Sequence, residues 1–248
     1  MKRAKLDRLL VDRGLVADAD EARRLIGLDM VLVNGAVASN PERMVSNADQ
    51  LLLVQPSRFV SRGGEKLDHA LEALGFEVHD SVAVDLGAST GGFTDCLLQR
   101  GCRMVYAVDV GEHLLHERLA HDPRVTALNG VNVKDVDRLP TRVADVVVVD
   151  LSFISAVAAI PAIKAVTRDE AEVVVLVKPQ FEAQRAEVDR HGGVIDDQGI
   201  RERTVEEVTA AFAQAGFEHR GTVESPIQGA KGNVEYLSWF HKGSRTTS

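Results

Sequence analysis

Val84-Asp85-Leu86-Gly87-Ala88-Ser89-Thr90-Gly91-Gly92-Phe93 decides the fold: an apolar run, a glycine-rich turn, then the start of a helical pattern. In such a strand–turn–helix unit the backbone approaches a ligand closely, and the first helical turn presents unpaired N–H donors. The Gly-Lys-Ser/Thr ending of a P-loop is missing, and Ser89 stands where the dinucleotide pattern requires its second glycine. Asp85, at the strand end, suits a cationic ligand group better than a pyrophosphate. S-adenosylmethionine, with its α-amino group and sulfonium, meets that description. Asp109 follows 24 residues later, closing the next strand in Tyr106-Ala107-Val108-Asp109-Val110-Gly111. An acidic residue there is placed to accept both hydroxyls of a ribose.

Working outward, Val-rich runs at 82–86, 104–110, 145–151 and 173–177 alternate with helical stretches such as 93–100 and 153–166. Repeated βα units of this kind predict an α/β fold, a parallel sheet covered on both faces. Residues 180–199, with His191-Gly192-Gly193, read as a loop over the sheet edge. A helix at 204–215 and strands near 217–223 and 234–240 complete the pattern. Two charged residues close apolar strands: Asp150 in Val147-Val148-Val149-Asp150-Leu151-Ser152-Phe153, and Lys178 in Val175-Leu176-Val177-Lys178-Pro179-Gln180. In open parallel sheets the ligand crevice lies at those strand ends. Glu235 interrupts Asn233-Val234-Glu235-Tyr236-Leu237-Ser238-Trp239 and, taken alone, reads as an outward-facing strand position.

Upstream the pattern differs. Leu6, Leu9 and Leu10 recur at helix spacing until Gly14, and Ala22, Leu25 and Ile26 share one face of 19–28. Val31-Leu32-Val33 then alternates into Asn34-Gly35, a strong hairpin signal, and a strand at 51–54 follows. The expected organisation is a small α+β module at 1–56, a linker at 57–64, a larger α/β domain at 65–242 and a tail at 243–248. The 248 residues carry a net charge of −8, but residues 1–66 hold +2 and the remainder −10. Any polyanion therefore faces the front of the chain. No apolar run reaches membrane-span length, and no signal-peptide core follows the basic start Met1-Lys2-Arg3-Ala4-Lys5, which predicts a cytoplasmic protein. Cys96 and Cys102 are too few for a disulfide framework and read as buried thiols. His113, His116 and His121 have no partners at ligand spacing, and a surface helix accounts for them.

Five stretches together resemble one family. They are Phe59-Val60-Ser61-Arg62-Gly63-Gly64-Glu65-Lys66-Leu67, the turn from Asp85 to Thr94, Asp150-Leu151-Ser152-Phe153-Ile154-Ser155, Leu176-Val177-Lys178-Pro179-Gln180-Phe181-Glu182 and Gly232-Asn233-Val234-Glu235-Tyr236. This set is similar to the TlyA family of ribosomal RNA ribose 2′-O-methyltransferases, also labelled haemolysin A. The catalytic part resembles FtsJ-type methyltransferases. The front module resembles the small RNA-binding "S-four" fold through Leu6-Asp7-Arg8-Leu9-Leu10, Ala22-Arg23-Arg24-Leu25-Ile26 and Val31-Leu32-Val33-Asn34-Gly35.

The resemblance implies a Rossmann-like methyltransferase domain, S-adenosyl-L-methionine as cofactor, ribosomal RNA as partner and no metal. It implies a catalytic tetrad of Lys66, Asp150, Lys178 and Glu235. The implied cofactor residues are Asp85, Gly87, Ser89, Thr90, Gly91, Gly92, Phe93, Asp109 and Asn132. Those implied for RNA are Lys2, Arg3, Lys5, Arg8, Arg23, Arg24 and Arg62. Methyl transfer to a ribose hydroxyl needs in-line geometry and removal of the hydroxyl proton. Lys178 is the candidate to accept or steer that proton. Lys66 nearby would lower the Lys178 pKa, and the two carboxylates would oppose that shift. A charged Lys178 that stabilises developing oxyanion character is the alternative. With 4% aromatic residues, the front module should read RNA through phosphates and shape. Eight polar or small residues after Trp239-Phe240 match the shorter members of the family, whose target is a cytidine of large-subunit RNA. Two rival classes remain: a membrane-lysing toxin, for which no inserting segment is evident, and a non-catalytic RNA-binding assembly factor, against which the complete tetrad argues. A pseudouridine synthase carrying the same small module would not open its catalytic region with this turn.

Overall fold

Asp18, Asn34 and Gly35 set the first local structure. The computed structural model describes residues 3–28, 30–54 and 58–243. Lys2, residues 55–57, of which only 57 belongs to the expected linker, and tail residues 244–248 lie outside them. The chain divides into two units, Met1–Arg58 and Phe59–Ser248.

In the first unit, β1 (Arg3–Lys5) leads into α1 (Leu6–Asp12), and α2 (Ala19–Gly27) follows. The Asp18 carboxylate caps α2 by accepting from the Glu21 N–H at 2.8 Å, and the Glu21 carboxylate accepts from Ala17 N–H. Such a cap contributes about 1 kcal/mol. Strands β2 (Val31–Val33) and β3 (Ala36–Val37) form the hairpin, with Asn34 and Gly35 both at positive φ as the tight turn requires. Strand β4 (Met44–Ser46) pairs with β1, and β5 (Leu51–Leu53) with β2. Leu6, Leu10, Ile26, Val31 and Val33 are buried at the centre. Arg3 and Lys5, expected in a basic tail, form β1 instead, because their backbone finds ladder partners in β4.

The second unit begins with α3 (Arg62–Ala73), so residues 62–64 of the expected linker are helical. It continues through β6 (Val82–Leu86), α4 (Gly92–Gln99), β7 (Met104–Val108), α5 (Glu117–Ala120), β8 (Val125–Leu128) and β9 (Ala144–Val149). After these come α6 (Ile160–Val166), β10 (Thr167–Val177), α7 (Pro179–Glu182), α8 (Arg185–Arg190), α9 (Gln198–Gln214), β11 (Glu218–Glu224) and β12 (Tyr236–Lys242). The sheet order is β11-β12-β10-β9-β6-β7-β8, parallel from β8 to β10, with β12 antiparallel to both neighbours. This is an α/β, Rossmann-like sheet. From β6 the chain winds outward through β7 and β8, then returns to β9 on the other flank. The resulting switch point opens a crevice at the C-terminal ends of β6 and β9.

Several elements differ from expectation for physical reasons. Val125-Thr126-Ala127-Leu128 forms the edge strand β8, half-wet and therefore without a strong apolar signal. The stretch 153–166 is not one helix: Phe153 sits at φ 67°, Ser155 caps a 3₁₀ turn (Ala156–Ala159), and only then does α6 begin. The expected loop 180–199 contains α7 and α8, the latter held by a capping box between Gln184 and Glu187. His113 and His116 precede the four-residue α5, and the His116 ring accepts from Arg118 N–H. Among the described residues no three His, Cys, Asp or Glu side chains gather as a metal would require, and no helix is long and apolar enough to cross a membrane.

Candidate active site

The turn after β6 is shaped by Gly87. At φ +91° it lies in a region L side chains rarely adopt, and a Cβ there would stand 2.4 Å from the Asp150 carbonyl oxygen. The close approach brings the end of β6 against the end of β9. Ser89 N–H donates to Asp109 Oδ2 at 2.8 Å, and Gly111 N–H donates to Oδ1 at 2.7 Å. Two backbone donors thus fix the Asp109 carboxylate at the end of β7. It lines a cavity of about 330 Å³ together with Gly87, Ser89, Asn132 and the apolar walls Val110, Val131 and Ile154. Asn132 is oriented by accepting from Lys134 N–H through Oδ1.

A second cavity of about 210 Å³ shares Gly87, Ser89 and Asp150 with the first and adds Arg62, Lys66, Thr90, Gly92 and Phe93. Gly91 is the N-cap of α4. Asp85 lines neither cavity. It is fully buried, with Oδ2 accepting from the Thr94 hydroxyl at 2.7 Å and Oδ1 without a partner. Burial pushes its pKa up to about 7; the Thr94 hydroxyl pulls against this, and Asp150 and Asp109 add negative charge from nearby. Three carboxylates around one turn, one with an orphaned oxygen, make a setting that a cationic ligand relieves. An apolar slot ending in a diol-accepting carboxylate suits a nucleoside. The residues present therefore fit a sulfonium nucleoside such as S-adenosylmethionine.

The four tetrad residues form two ion pairs. Lys66 on α3 donates to Glu235 Oε2 at 2.5 Å, joining positions 169 residues apart. Lys178, directly after β10, lies 2.6 Å from Asp150 Oδ1 and donates to the Ser152 hydroxyl at 3.1 Å. Both lysines and Glu235 are buried. Glu235 corrects the strand reading: it precedes β12 and turns inward rather than to solvent. Gly229 makes the room, because a Cβ there would lie 1.9 Å from Glu235 Oε1.

Sequence reasoning passed over four residues beside this centre. Phe153 is 88% exposed, its ring 5.5 Å from that of Phe181, and the Lys178 ammonium lies 5.8 Å from the Phe181 ring. Glu182 accepts from Ser155 Oγ and Ala156 N–H. Gly229 is the fourth. The only signal for the aromatic pair was an aromatic residue three positions after each strand-end charge, at 153 and 181.

In the first unit, Lys5 pairs with Glu42 at 2.6 Å, and Arg23 with the buried Asp7 at 3.2 Å and with Asp20 at 3.4 Å. Arg3, Arg8 and Arg24 are exposed. Arg62, in the first turn of α3, is exposed at the rim of the second cavity.

Residues 59–242 match the family model of the FtsJ-like methyltransferases. The chain is 41% identical over 243 residues to the 16S/23S rRNA (cytidine-2′-O)-methyltransferase TlyA of Mycobacterium tuberculosis, spanning 96% of this chain and 90% of that one. It is 37% identical over 238 residues to Hemolysin A of Brachyspira hyodysenteriae, with 95% and 99% covered. A solved structure from Streptococcus thermophilus, described as a hemolysin, superposes with a TM-score of 0.74 at 37% identity over 98% of this chain and 90% of that one.

Proposed function

The chain belongs to the FtsJ-like methyltransferase family, and from that premise we propose that it methylates the ribose 2′-hydroxyl of a cytidine in ribosomal RNA, using S-adenosylmethionine. The observation that carries this reading is the sharing of Gly87, Ser89 and Asp150 by two cavities, one fitted to a nucleoside and one walled by Lys66. In-line transfer needs donor and acceptor held side by side across a common boundary, and Gly87, Ser89 and Asp150 form one.

Bound there, S-adenosylmethionine supplies an electrophilic methyl group. Asp109 would accept from the cofactor's ribose hydroxyls, Asn132 lies at the same cavity wall, and the carboxylates around the turn would favour its positive charge. Gly91 opens α4 so that Gly92 and Phe93 border the second cavity. Asp150 lines that cavity and holds Lys178 beside it; Lys178 takes the proton of the target 2′-hydroxyl as its own proton passes to the Asp150 carboxylate, and the freed oxygen takes the methyl group. Asp150 and Ser152 fix the Lys178 ammonium, and Glu235 fixes Lys66. Phe153 offers a ring face to the base of the target nucleotide. Arg3, Lys5, Arg8, Arg23, Arg24 and Arg62 contact RNA phosphates. The label hemolysin is carried by relatives' names alone, and the reaction belongs in the cytoplasm, where the substrate resides.

The test incubates methyl-labelled S-adenosylmethionine with separated and joined ribosomal subunits from a strain lacking the modification, large subunit first. Label on a ribose 2′-oxygen, lost in Lys178→Ala, is the expected result. Measurable cofactor binding with no label on any particle would overturn the assignment.

A further inference from the structure

The segments after β9 and β10 meet at three successive points. At the base, Lys178 contacts Asp150 and Ser152. In the middle, the ring of Phe181 packs on that of Phe153. At the far end, the Glu182 carboxylate accepts from the Ser155 hydroxyl at 2.5 Å and from Ala156 N–H at 2.7 Å. Ser155 in turn accepts from Val157 N–H, starting the 3₁₀ turn. The middle point is the least secure by itself. Phe153 exposes 88% of its surface and holds φ at 67°, a conformation unfavourable for a non-glycine residue that persists only where neighbours impose it. On one side Asp150 is fixed by Lys178, and on the other Ser155 and Ala156 are fixed by Glu182. The Glu182 carboxylate, half-buried between these loops, gives up part of its hydration and gains two donors of the opposite segment in return.

We propose that Glu182 is a positioning residue that clamps the segment 151–156 against α7 and so holds the Phe153 ring where the target nucleotide docks. The inference rests on the methyltransferase reading for the identity of what docks, but the clamp itself is independent of it. Glu182 lines neither cavity, but the segment it clamps supplies Ser152, Phe153 and Ile154 to the first, so its loss loosens that wall while Asp109 and the Lys178–Asp150 pair stay in place. The consequence is a loss of RNA engagement larger than any loss of cofactor affinity.

Glu182→Ala, Glu182→Gln and Ser155→Ala are compared with the wild type in subunit methylation, cofactor titration and amide hydrogen exchange. Glu182→Ala should raise KM for the ribosomal particle about tenfold, with kcat changed less than about twofold. Cofactor affinity should fall by less than KM rises, and the Ala156 and Val157 amides should exchange faster. Glu182→Gln should restore KM, since its amide can donate to Ser155 Oγ while its oxygen still accepts from Ala156. Ser155→Ala, which removes one donor from the opposite loop, should show part of the effect. An unchanged KM and unchanged exchange in Glu182→Ala overturn the clamp, as does equal loss of kcat in the Ala and Gln variants. If Glu182→Ala fails to fold, Ser155→Ala decides alone, and wild-type kinetics and exchange in that variant overturn the clamp. If the wild type labels no particle, the function proposed above fails, whereas the exchange result still decides the clamp.

Discussion

The two lysine–carboxylate pairs of the site look alike on paper and differ in surroundings. Lys66–Glu235 is closed on both sides, with side-chain exposures of 10% and 3%. Lys178–Asp150 is open on one, at 10% and 26%, and its lysine has the Ser152 hydroxyl as a further acceptor. A closed pair fixes geometry, because removing either partner strands a charge away from water. An open pair can exchange a protein partner for a substrate oxygen. Under the proposed function, the more open Asp150 side points to Lys178 for the reacting hydroxyl, with Lys66 walling the second cavity and holding the frame around it.

The largest expected effect tests that division directly. Lys178→Ala should lower kcat by about a thousandfold, within the range of lost acid–base participation, with the thermal midpoint and cofactor affinity nearly unchanged in calorimetry. Lys66→Ala should instead fall in stability by about 3–5 kcal/mol, since Glu235 is left buried and unpaired. The double variant Lys66→Met/Glu235→Leu should recover most of that stability in denaturant titration without recovering activity. Recovery of both would break the comparison.

Asp85 supplies the contrast of a buried carboxylate with no lysine. Its folded pKa of about 7 lies above the ordinary carboxylate value of 3.8. The folded state therefore binds the extra proton, and stability falls as pH rises from about 4 to about 7, by about 4 kcal/mol in all. Asp85→Asn should flatten that slope, matching the wild type below pH 4 and exceeding it at pH 8. A wild-type-like slope in the variant would place the pH dependence elsewhere.

Smaller effects sharpen the picture. Gly229→Ala puts a methyl group against Glu235 and should cost roughly tenfold to a hundredfold in kcat, through displacement of the closed pair. Arg24→Ala, on an exposed face of α2, should weaken particle binding only a few-fold and reduce its salt dependence by about one phosphate contact.

Much of this was legible in the chain. The turn from Asp85 to Phe93 marked the switch point, Val-rich runs marked four of the five parallel strands, and the motif resemblance selected both ion pairs. What escaped depended on three-dimensional neighbours. β8 carries little apolar signal because it is a half-exposed edge. Phe153 looked like the start of a helix, since nothing in its own sequence reveals a positive φ imposed by contacts on either side. Gly229 reads as an ordinary loop glycine until the Glu235 carboxylate is seen occupying the place of its side chain. Asp85, read as facing the ligand, instead lies behind the turn, because Thr94 on α4 captures one of its oxygens.

The place of β12 has a consequence for how such a chain comes into being. It is the last of the sheet strands to be synthesised, yet it lies inside the sheet, between β10 and β11, and the residue just before it completes the pair with Lys66. The first unit, built from local contacts, can fold while most of the chain is still being made. The catalytic pairing cannot. A nascent chain can thus hold the exposed basic residues of its first unit ready well before its catalytic pairs exist, and those pairs are completed in one step, with the insertion of seven residues.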